Sequence, residues 1–240
     1  MLIKNSRERA TRHHEKMMSV LRYLAREHYS DFATLKRLFG FKNHRGMYDL
    51  LNKLVSTGAI KKEPDIYSST LWRITAAGCA QAYPECSPPH REFLSLSSHT
   101  LRQHIAVQNA RLSFEALGVH NWIDGKNAPF PTRRKHRPSG VFTWHDGSRY
   151  AVEVITRLKT PLRYREIMKT HLLSRTDEEW LYVYVVAPNE QAKLALTTIF
   201  NETKILRFSG RKITLEAKHH GVFKFITQGE LSTKLTAKEE

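Results

Sequence analysis

The first 75 residues alternate apolar and polar positions with a helical period. Residues 14–28 carry one apolar stripe at i, i+3, i+4 and i+7, formed by Met17, Val20, Leu21 and Leu24. A second helix is predicted at 31–39 and a third at 43–58, each bounded by a polar cap and a glycine. A hairpin-like segment follows at 59–75. Three helices and a β-ribbon in this order predict a winged helix-turn-helix.

A different pattern begins near Ser98, after a proline-rich and serine-rich segment at 76–97. The residues beyond it predict an α/β (α+β) domain with a mixed sheet. Its predicted elements are a helix at 98–117, a strand at 120–124, two strands joined by a turn at 145–148, a helix at 162–174, a strand at 180–188, a helix at 189–201 and a strand at 204–208. The sequence therefore predicts a winged helix domain at 10–78, a linker at 79–97, a second domain at 98–230 and a flexible tail at 231–240.

The charge of the chain indicates the kind of partner. The sequence has 39 Lys and Arg residues and 23 Asp and Glu residues, which give a net charge of +16. Residues 1–75 contribute 15 basic against 7 acidic side chains, and residues 126–175 contribute 12 against 3. From residue 176 onward the two kinds balance at 9 each. Two separated basic blocks predict two surfaces that meet phosphates, so duplex DNA is the expected partner.

The cysteine content and the apolar runs of the sequence indicate the cellular compartment. Cys79 and Cys86 are the two cysteines, too few for a disulfide framework or a zinc cluster. The first residues are polar, and no run of eighteen apolar residues occurs. We therefore expect a cytoplasmic protein without membrane insertion.

The DNA-binding side chains are expected in three places. The polar face at the start of the third predicted helix, the predicted ribbon and a basic loop at 132–140 supply them: Asn43, His44, Arg45 and Tyr48; Lys61 and Lys62; and Arg133, Arg134, Lys135 and Arg137. Winged helices also serve as protein-interaction modules, which is the alternative for the first domain.

Glu153 is the unusual residue of the second domain. It stands in the middle of an apolar predicted strand at 150–155, where a carboxylate is expensive to bury without a partner. One explanation is an ion pair with a nearby arginine. The other is a ligand for a divalent cation that acts on a phosphodiester.

The segment around Glu153 resembles the restriction-endonuclease-like, or PD-(D/E)xK, pattern. Here the order is Pro138–Ser139–Gly140 followed by Glu153–Val154–Ile155. Ser139 stands where this pattern has an aspartate, and Ile155 where it has a lysine or a second acid. The resemblance implies Mg²⁺ or Mn²⁺ held by Glu153 and Asp146, with Glu115 as a further carboxylate. Lys159 or Arg157 would then stabilise the charge of the transition state.

A wider resemblance covers roughly residues 15–190. The winged helix pattern is followed by H-x-x-V-x-N-x-R at 104–111, Trp122, and then the two motifs above. This order is similar to the replication-relaxation family and, within it, to MobC-type mobilisation relaxases. The resemblance implies a DNA-nicking endonuclease (relaxase) that cuts one strand at a plasmid transfer origin during conjugation. Its implied partners are double-stranded DNA with a single-stranded or nicked region, relaxosome proteins and coupling proteins.

Two other functions stay open at this point. Ser139 and Ile155 favour a non-enzymatic, sequence-specific DNA-binding protein with a degenerate nuclease fold. Such a protein would be a plasmid replication initiator, an accessory relaxosome factor or a repressor. A transposition or defence nuclease built on the same scaffold is the third possibility.

Overall fold

The chain is a mixed α/β protein that forms two compact units, Met1–Ile105 and Ala106–Glu240. A computed structural model describes residues 6–63, 70–85, 97–125, 128 and 136–236. Within these residues, no helix is both long enough and apolar enough to cross a membrane.

The first three helices match the predicted ones, although α1 begins eight residues before the predicted start at 14: α1 Ser6–Glu27, α2 Phe32–Leu38 and α3 His44–Ser56. Side-chain caps define the starts of α2 and α3, because Asp31 accepts a hydrogen bond from the Thr34 N–H at 2.7 Å and Asn43 accepts one from the Gly46 N–H at 3.0 Å. Gly58, just beyond α3, has a φ of +71°, a conformation that glycine adopts without strain. Local capping and apolar periodicity thus fix these boundaries.

A small antiparallel sheet completes this part of the chain. Its strands are β1 Tyr29–Asp31, β2 Ile60–Glu63 and β3 Leu71–Ile74, in the order β1-β3-β2 among the described residues. The sequence pattern did not predict β1, which has only three residues. The sheet packs with the helices around a buried core that includes Leu21, Leu24, Leu35, Leu51, Leu54 and Trp72. Residues 64–69 of the predicted hairpin-like segment lie outside the described residues.

The predicted linker at 79–97 needs correction, because its first residues are helical. Helix α4, Ala76–Ala82, is capped by Thr75 and packs Cys79 and Ala82 against the core of the first unit. The first unit also extends beyond residue 97. Helix α5, Ser98–Ala116, begins in it and packs Leu101 and Ile105 with Tyr29 and Leu71. Residues 86–96 lie outside the described part of the chain.

The second unit is built on a sheet with five strands in the described residues. In chain order the elements after α5 are β4 His120–Asp124, β5 Gly140–Thr143, β6 Arg149–Val154, α6 Pro161–Thr176, β7 Tyr182–Ala187, α7 Glu190–Glu202, β8 Ile205–Phe208, β9 Arg211–Thr214, α8 Ala217–His220, β10 Phe223–Thr227 and α9 Gln228–Thr236. The sheet order is β10-β7-β6-β5-β4. Strands β4, β5 and β6 are antiparallel neighbours, whereas β7 runs parallel to β6 and β10 parallel to β7.

Several C-terminal elements were not predicted. Strand β8 pairs with the unpredicted β9 in a separate two-stranded ribbon, and β10 takes the edge of the main sheet. The predicted flexible tail at 231–240 is corrected by α9, whose Leu231 is buried against the sheet. Residues 237–240 lie outside the description.

The sheet separates two apolar clusters, and strand β6 contributes to both. Its side chains alternate because successive residues of a strand point to opposite faces. Ala151 and Ile155 pack with residues of α6 on one face. Val152 and Val154 pack with Ala110 and Phe114 of α5 on the other. Glu153, between the two valines, therefore faces α6.

Gly78 tests the packing of α4 on the first unit. A Cβ at this position would lie 2.0 Å from the backbone oxygen of Ala59. Gly78→Ala should therefore destabilise the protein by about 2 kcal/mol despite the better helix preference of alanine. Gly229→Ala in α9 is the matched control, because its Cβ would meet only Thr227 Oγ1 at 3.7 Å. Denaturant unfolding should show a lower free energy of unfolding for Gly78→Ala and an unchanged one for Gly229→Ala. Equal effects of the two variants would contradict the close packing of Gly78 on Ala59.

Candidate functional site

Glu153 is buried in the middle of the main sheet and faces two histidines. Its Oε1 lies 2.6 Å from His136 Nε2 and 2.8 Å from His171 Nε2. The exposed fractions are 3% for Glu153, 8% for His136 and 0% for His171. One ligand atom from each residue lies within 4.8 Å of the other two. This triad, His136–Glu153–His171, is the polar centre of the second unit.

Three separate segments position the triad. Strand β6 directs Glu153 towards α6, and α6 carries His171 in its middle turns. Helix α6 begins at a fixed point, because Thr160 is its N-cap and Pro161 stands at its first position. His136 lies in the segment that leads into β5.

Ser139 holds that leading segment against β6. Its N–H donates to Val152 O at 2.8 Å, and its hydroxyl accepts a hydrogen bond from the Val154 N–H at 3.0 Å. The serine hydroxyl therefore satisfies the backbone on the strand that carries Glu153. Ser139, at the position where the nuclease pattern has an aspartate, thus makes a structural hydrogen bond.

The charge of Glu153 is stabilised by its two neighbours. Burial alone raises the pKa of a carboxyl group, but electrostatic attraction to His136 and His171 and the hydrogen bonds from both rings outweigh that effect. Together they lower the pKa of Glu153 to about 2. Glu153 is therefore an ionised carboxylate at neutral pH.

Arg163 determines which nitrogen of His136 carries a proton. Its Nη2 lies 3.2 Å from His136 Nδ1. A guanidinium group can only donate, so in this contact Nδ1 is the acceptor and the ring proton sits on Nε2. His136 then bridges the cation of Arg163 to the buried carboxylate of Glu153.

Within the described part of the chain, the ring of His171 makes one hydrogen bond, to Glu153. Its Nε2 donates to Glu153, while its buried Nδ1 has no hydrogen-bond partner among the described residues. Both rings thus contact the same oxygen of one carboxylate through Nε2.

The other two carboxylates predicted at the site lie elsewhere. Asp146 is exposed in the turn between β5 and β6, where it accepts a hydrogen bond from the Ser148 N–H. Glu153 lies four positions after Arg149 at the turn end of β6, a distance of about 13 Å. Glu115 lies on α5, on the opposite face of the sheet, and pairs with Arg111 at 2.6 Å. The expectation that these carboxylates share one cation with Glu153 is corrected by this geometry.

The two cations predicted to assist the reaction lie just beyond β6. Arg157 and Lys159 are exposed, and the Lys159 N–H donates to the buried Tyr164 hydroxyl at 2.9 Å. Ile155, at the position where the pattern has a lysine, packs in the core against α6. The cation that contacts the triad is instead Arg163, which the sequence did not single out.

The described DNA-binding candidates are exposed. On α3 and β2 these are His44, Arg45, Tyr48, Lys61 and Lys62, and in the second unit Arg137. Asn43 is also exposed, but its side-chain oxygen caps α3. Arg133, Arg134 and Lys135 lie outside the described residues.

A metal ion can be tested against the triad by donor chemistry. Two imidazoles and one carboxylate suit zinc or iron, whereas Mg²⁺ and Mn²⁺ prefer oxygen ligands. A metal on His136 Nε2 would also place the ring proton on Nδ1, facing Arg163, where a metal-bound histidine usually meets an acceptor. The residues present therefore do not fit the Mg²⁺ or Mn²⁺ site expected from the sequence.

Comparison with known proteins adds no further information on the site. No protein-family model, no curated protein and no solved structure matches this chain.

Sequence reasoning identified Glu153 but missed His136 and His171. His171 carries a usable signal, because it lies four residues after Ile167 on the apolar side of α6. A histidine at such a position needs a polar partner. His136 gave no such signal, since it stands within a run of basic residues.

The triad predicts a specific pH dependence of stability. The pKa of Glu153 is lowered to about 2 in the folded protein, so its stabilisation is complete above the unfolded value near 4.5. It is lost as the pH falls from there towards 2. Glu153→Gln should therefore be less stable than the parent by about 3 kcal/mol at pH 7.

Chemical denaturation of both proteins from pH 7 to pH 2.5 measures this difference. The gap should narrow below pH 4.5. Glu190→Gln, which removes an exposed carboxylate of the same unit, is the control and should change little. A gap that stays constant over the whole range would show that the buried carboxyl group is not ionised.

Proposed function

We propose that the chain is a DNA-binding protein and that its first unit is a winged helix-turn-helix. The order α1, β1, α2, α3, β2, β3 with an antiparallel β1-β3-β2 sheet supports this assignment. The decisive observation is the orientation of α3. Its apolar face is buried through Met47, Leu50, Leu51 and Leu54, while its first turn presents polar and cationic side chains to solvent.

Arg45 is the side chain of α3 best suited to read a base. Its side chain is 92% exposed, and its ion pair with Asp49 is long at 4.0 Å. An arginine in the first turn of a recognition helix can bind the O6 and N7 atoms of guanine in the major groove. Arg45 is thus free to extend towards a base edge.

Aromatic rings hold the neighbouring side chains in place. Tyr48 stacks on Phe32 of α2 with ring centroids 4.1 Å apart, and the His44 ring lies 5.3 Å from the same Phe32. Lys61 and Lys62 on β2 add exposed cations in the same unit. In this assignment α3 reads bases, and the lysines of the ribbon bind phosphates.

Arg45→Ala tests this assignment. Loss of one bidentate base contact should weaken binding to a selected target by about 1–3 kcal/mol and relax the preference at one base pair. Lys61→Gln is the matched comparison, because loss of a phosphate contact should weaken all duplexes alike. Selection from a random duplex pool, followed by mobility-shift titration, measures both effects. Equal weakening of target and random DNA by Arg45→Ala would contradict base reading.

A second candidate function is metal-assisted nicking of one strand at a plasmid transfer origin by a MobC-type relaxase. The convergence of His136, Glu153 and His171 within 4.8 Å supports it. So does the order α5, β4, β5, β6, α6, β7, a three-stranded antiparallel meander followed by a parallel strand. A cation bound there would polarise a phosphodiester oxygen. Relaxosome and coupling proteins are the partners that this candidate implies.

The burial of the triad and the Arg163 contact favour the DNA-binding function over the nicking function. Supercoiled plasmid carrying a transfer origin, incubated with Mg²⁺, Mn²⁺ or Zn²⁺, separates the two. Nicking requires an open-circle product that Glu153→Ala and His171→Ala abolish. A DNA-binding protein without nuclease activity retards the plasmid and leaves it supercoiled with every metal.

A further inference from the structure

The β8–β9 ribbon is a separate element outside the main sheet. Ser209 and Gly210 form its turn with φ values of +47° and +85°, as in a tight two-residue hairpin. Leu206 is buried in the core of the second unit and anchors the ribbon there. The whole of β9 is exposed. The ribbon therefore presents one strand fully to solvent from a fixed base.

This ribbon is strongly cationic. The segment 204–215 contains Lys204, Arg207, Arg211 and Lys212 and no acidic residue. Arg207 and Lys212 are directly opposite each other in the strand pairing. Like charges in such a pair destabilise a hairpin. A ribbon that holds two cations in this position is suited to an anionic partner that lies across both strands.

Helix α6 adds a cation on the other face of the ribbon, the face that carries Phe208 and Arg211. Lys169 Nζ lies 5.9 Å from the ring centre of Phe208, and Arg211 is the cross-strand neighbour of Phe208. Arg165 precedes Lys169 by four residues, so it lies on the same side of the helix. We call Arg207, Arg211, Lys212 and Lys169 the basic ribbon surface.

The basic ribbon surface is not neutralised by the protein. None of its four cations makes an ion pair within the described part of the chain. Glu166, the nearest acidic residue along α6, lies three positions before Lys169 and makes no ion pair with it either. Cations that lack a counter-charge raise the local concentration of anions.

We propose that the basic ribbon surface binds the phosphodiester backbone of duplex DNA, as a contact surface additional to the first unit. The inference rests on the proposed DNA-binding function. Short lysine and arginine rows on a two-stranded ribbon match a line of phosphates, and they bind without reading sequence. The balance of charges from residue 176 onward conceals this surface in the sequence.

The double variant R207Q/K212Q tests the proposal on the full chain. Binding to a fluorescent 25-base-pair duplex is titrated between 50 and 200 mM salt. Each phosphate contact contributes about 0.9 to the slope of log affinity against log salt, so two lost contacts should lower the slope by about 1.8. Over this fourfold rise in salt, the parent should lose about 12-fold more affinity than the variant. The base preference should not change.

Three further variants make the result specific. K218Q removes an exposed cation of the same unit that already pairs with Glu216 at 2.9 Å, and it should keep the parent slope. R207K/K212R keeps both charges and should also keep it. R211Q alone should lower the slope by about 0.9. Thermal unfolding of R207Q/K212Q should occur at the parent temperature or above, because a like-charge pair is removed.

The outcomes separate this inference from the proposed function. A parent chain that binds no duplex overturns both. A parent that binds duplex while R207Q/K212Q and R211Q keep its salt slope overturns the inference alone. The inference is also overturned if R207Q/K212Q loses binding to vesicles of anionic lipid while its DNA binding is unchanged. That result would assign the surface to a membrane.

Discussion

The second unit depends on the burial of one ionised carboxylate inside a sheet. An unpaired carboxylate in that position would be very unfavourable, so hydrogen-bond donors must reach it from elsewhere in the fold. His136 lies 17 residues before Glu153 and His171 lies 18 residues after it. The segment before β5, the strand β6 and the helix α6 are therefore held together by one oxygen atom. Removing any of the three side chains leaves a polar group buried without its partner.

The same requirement accounts for two residues close to Glu153, Ser139 and Ile155. The hydroxyl of Ser139 satisfies the backbone N–H of Val154, next to Glu153. Ile155 fills the core against α6, where a lysine would bring a second buried charge. Both residues favour a closed, hydrogen-bonded sheet over an open site with several acidic ligands. A cation would have to displace Arg163 from His136 and both ring protons from Glu153. The contacts of the triad thus stabilise the fold of the second unit, and a cation could bind only by breaking them.

Most helices and the central strands could be predicted from the sequence, because their signals are local. Asp31 and Asn43 cap helices whose apolar stripes are regular. Strand β1 has three residues and no alternation, so only its pairing with β3 reveals it. Glu153 was identified because a carboxylate among apolar strand residues violates a local rule. The histidines were not, because their role depends on approaches across 17 and 18 residues. The positions of Asp146 and Glu115 required the sheet topology.

Charge shows the same difference between local and three-dimensional information. Acidic residues from 176 onward cancel the basic ones in a sum, yet three of them, Asp177, Glu178 and Glu179, follow one another directly after α6. The basic side chains of the β8–β9 ribbon are collected instead by strand pairing, which sets Arg207 opposite Lys212. A phosphate responds to charges within about one Debye length, roughly 8 Å at physiological ionic strength. What a polyanion meets is therefore decided by pairing in the fold, and a net charge summed along a segment underestimates it.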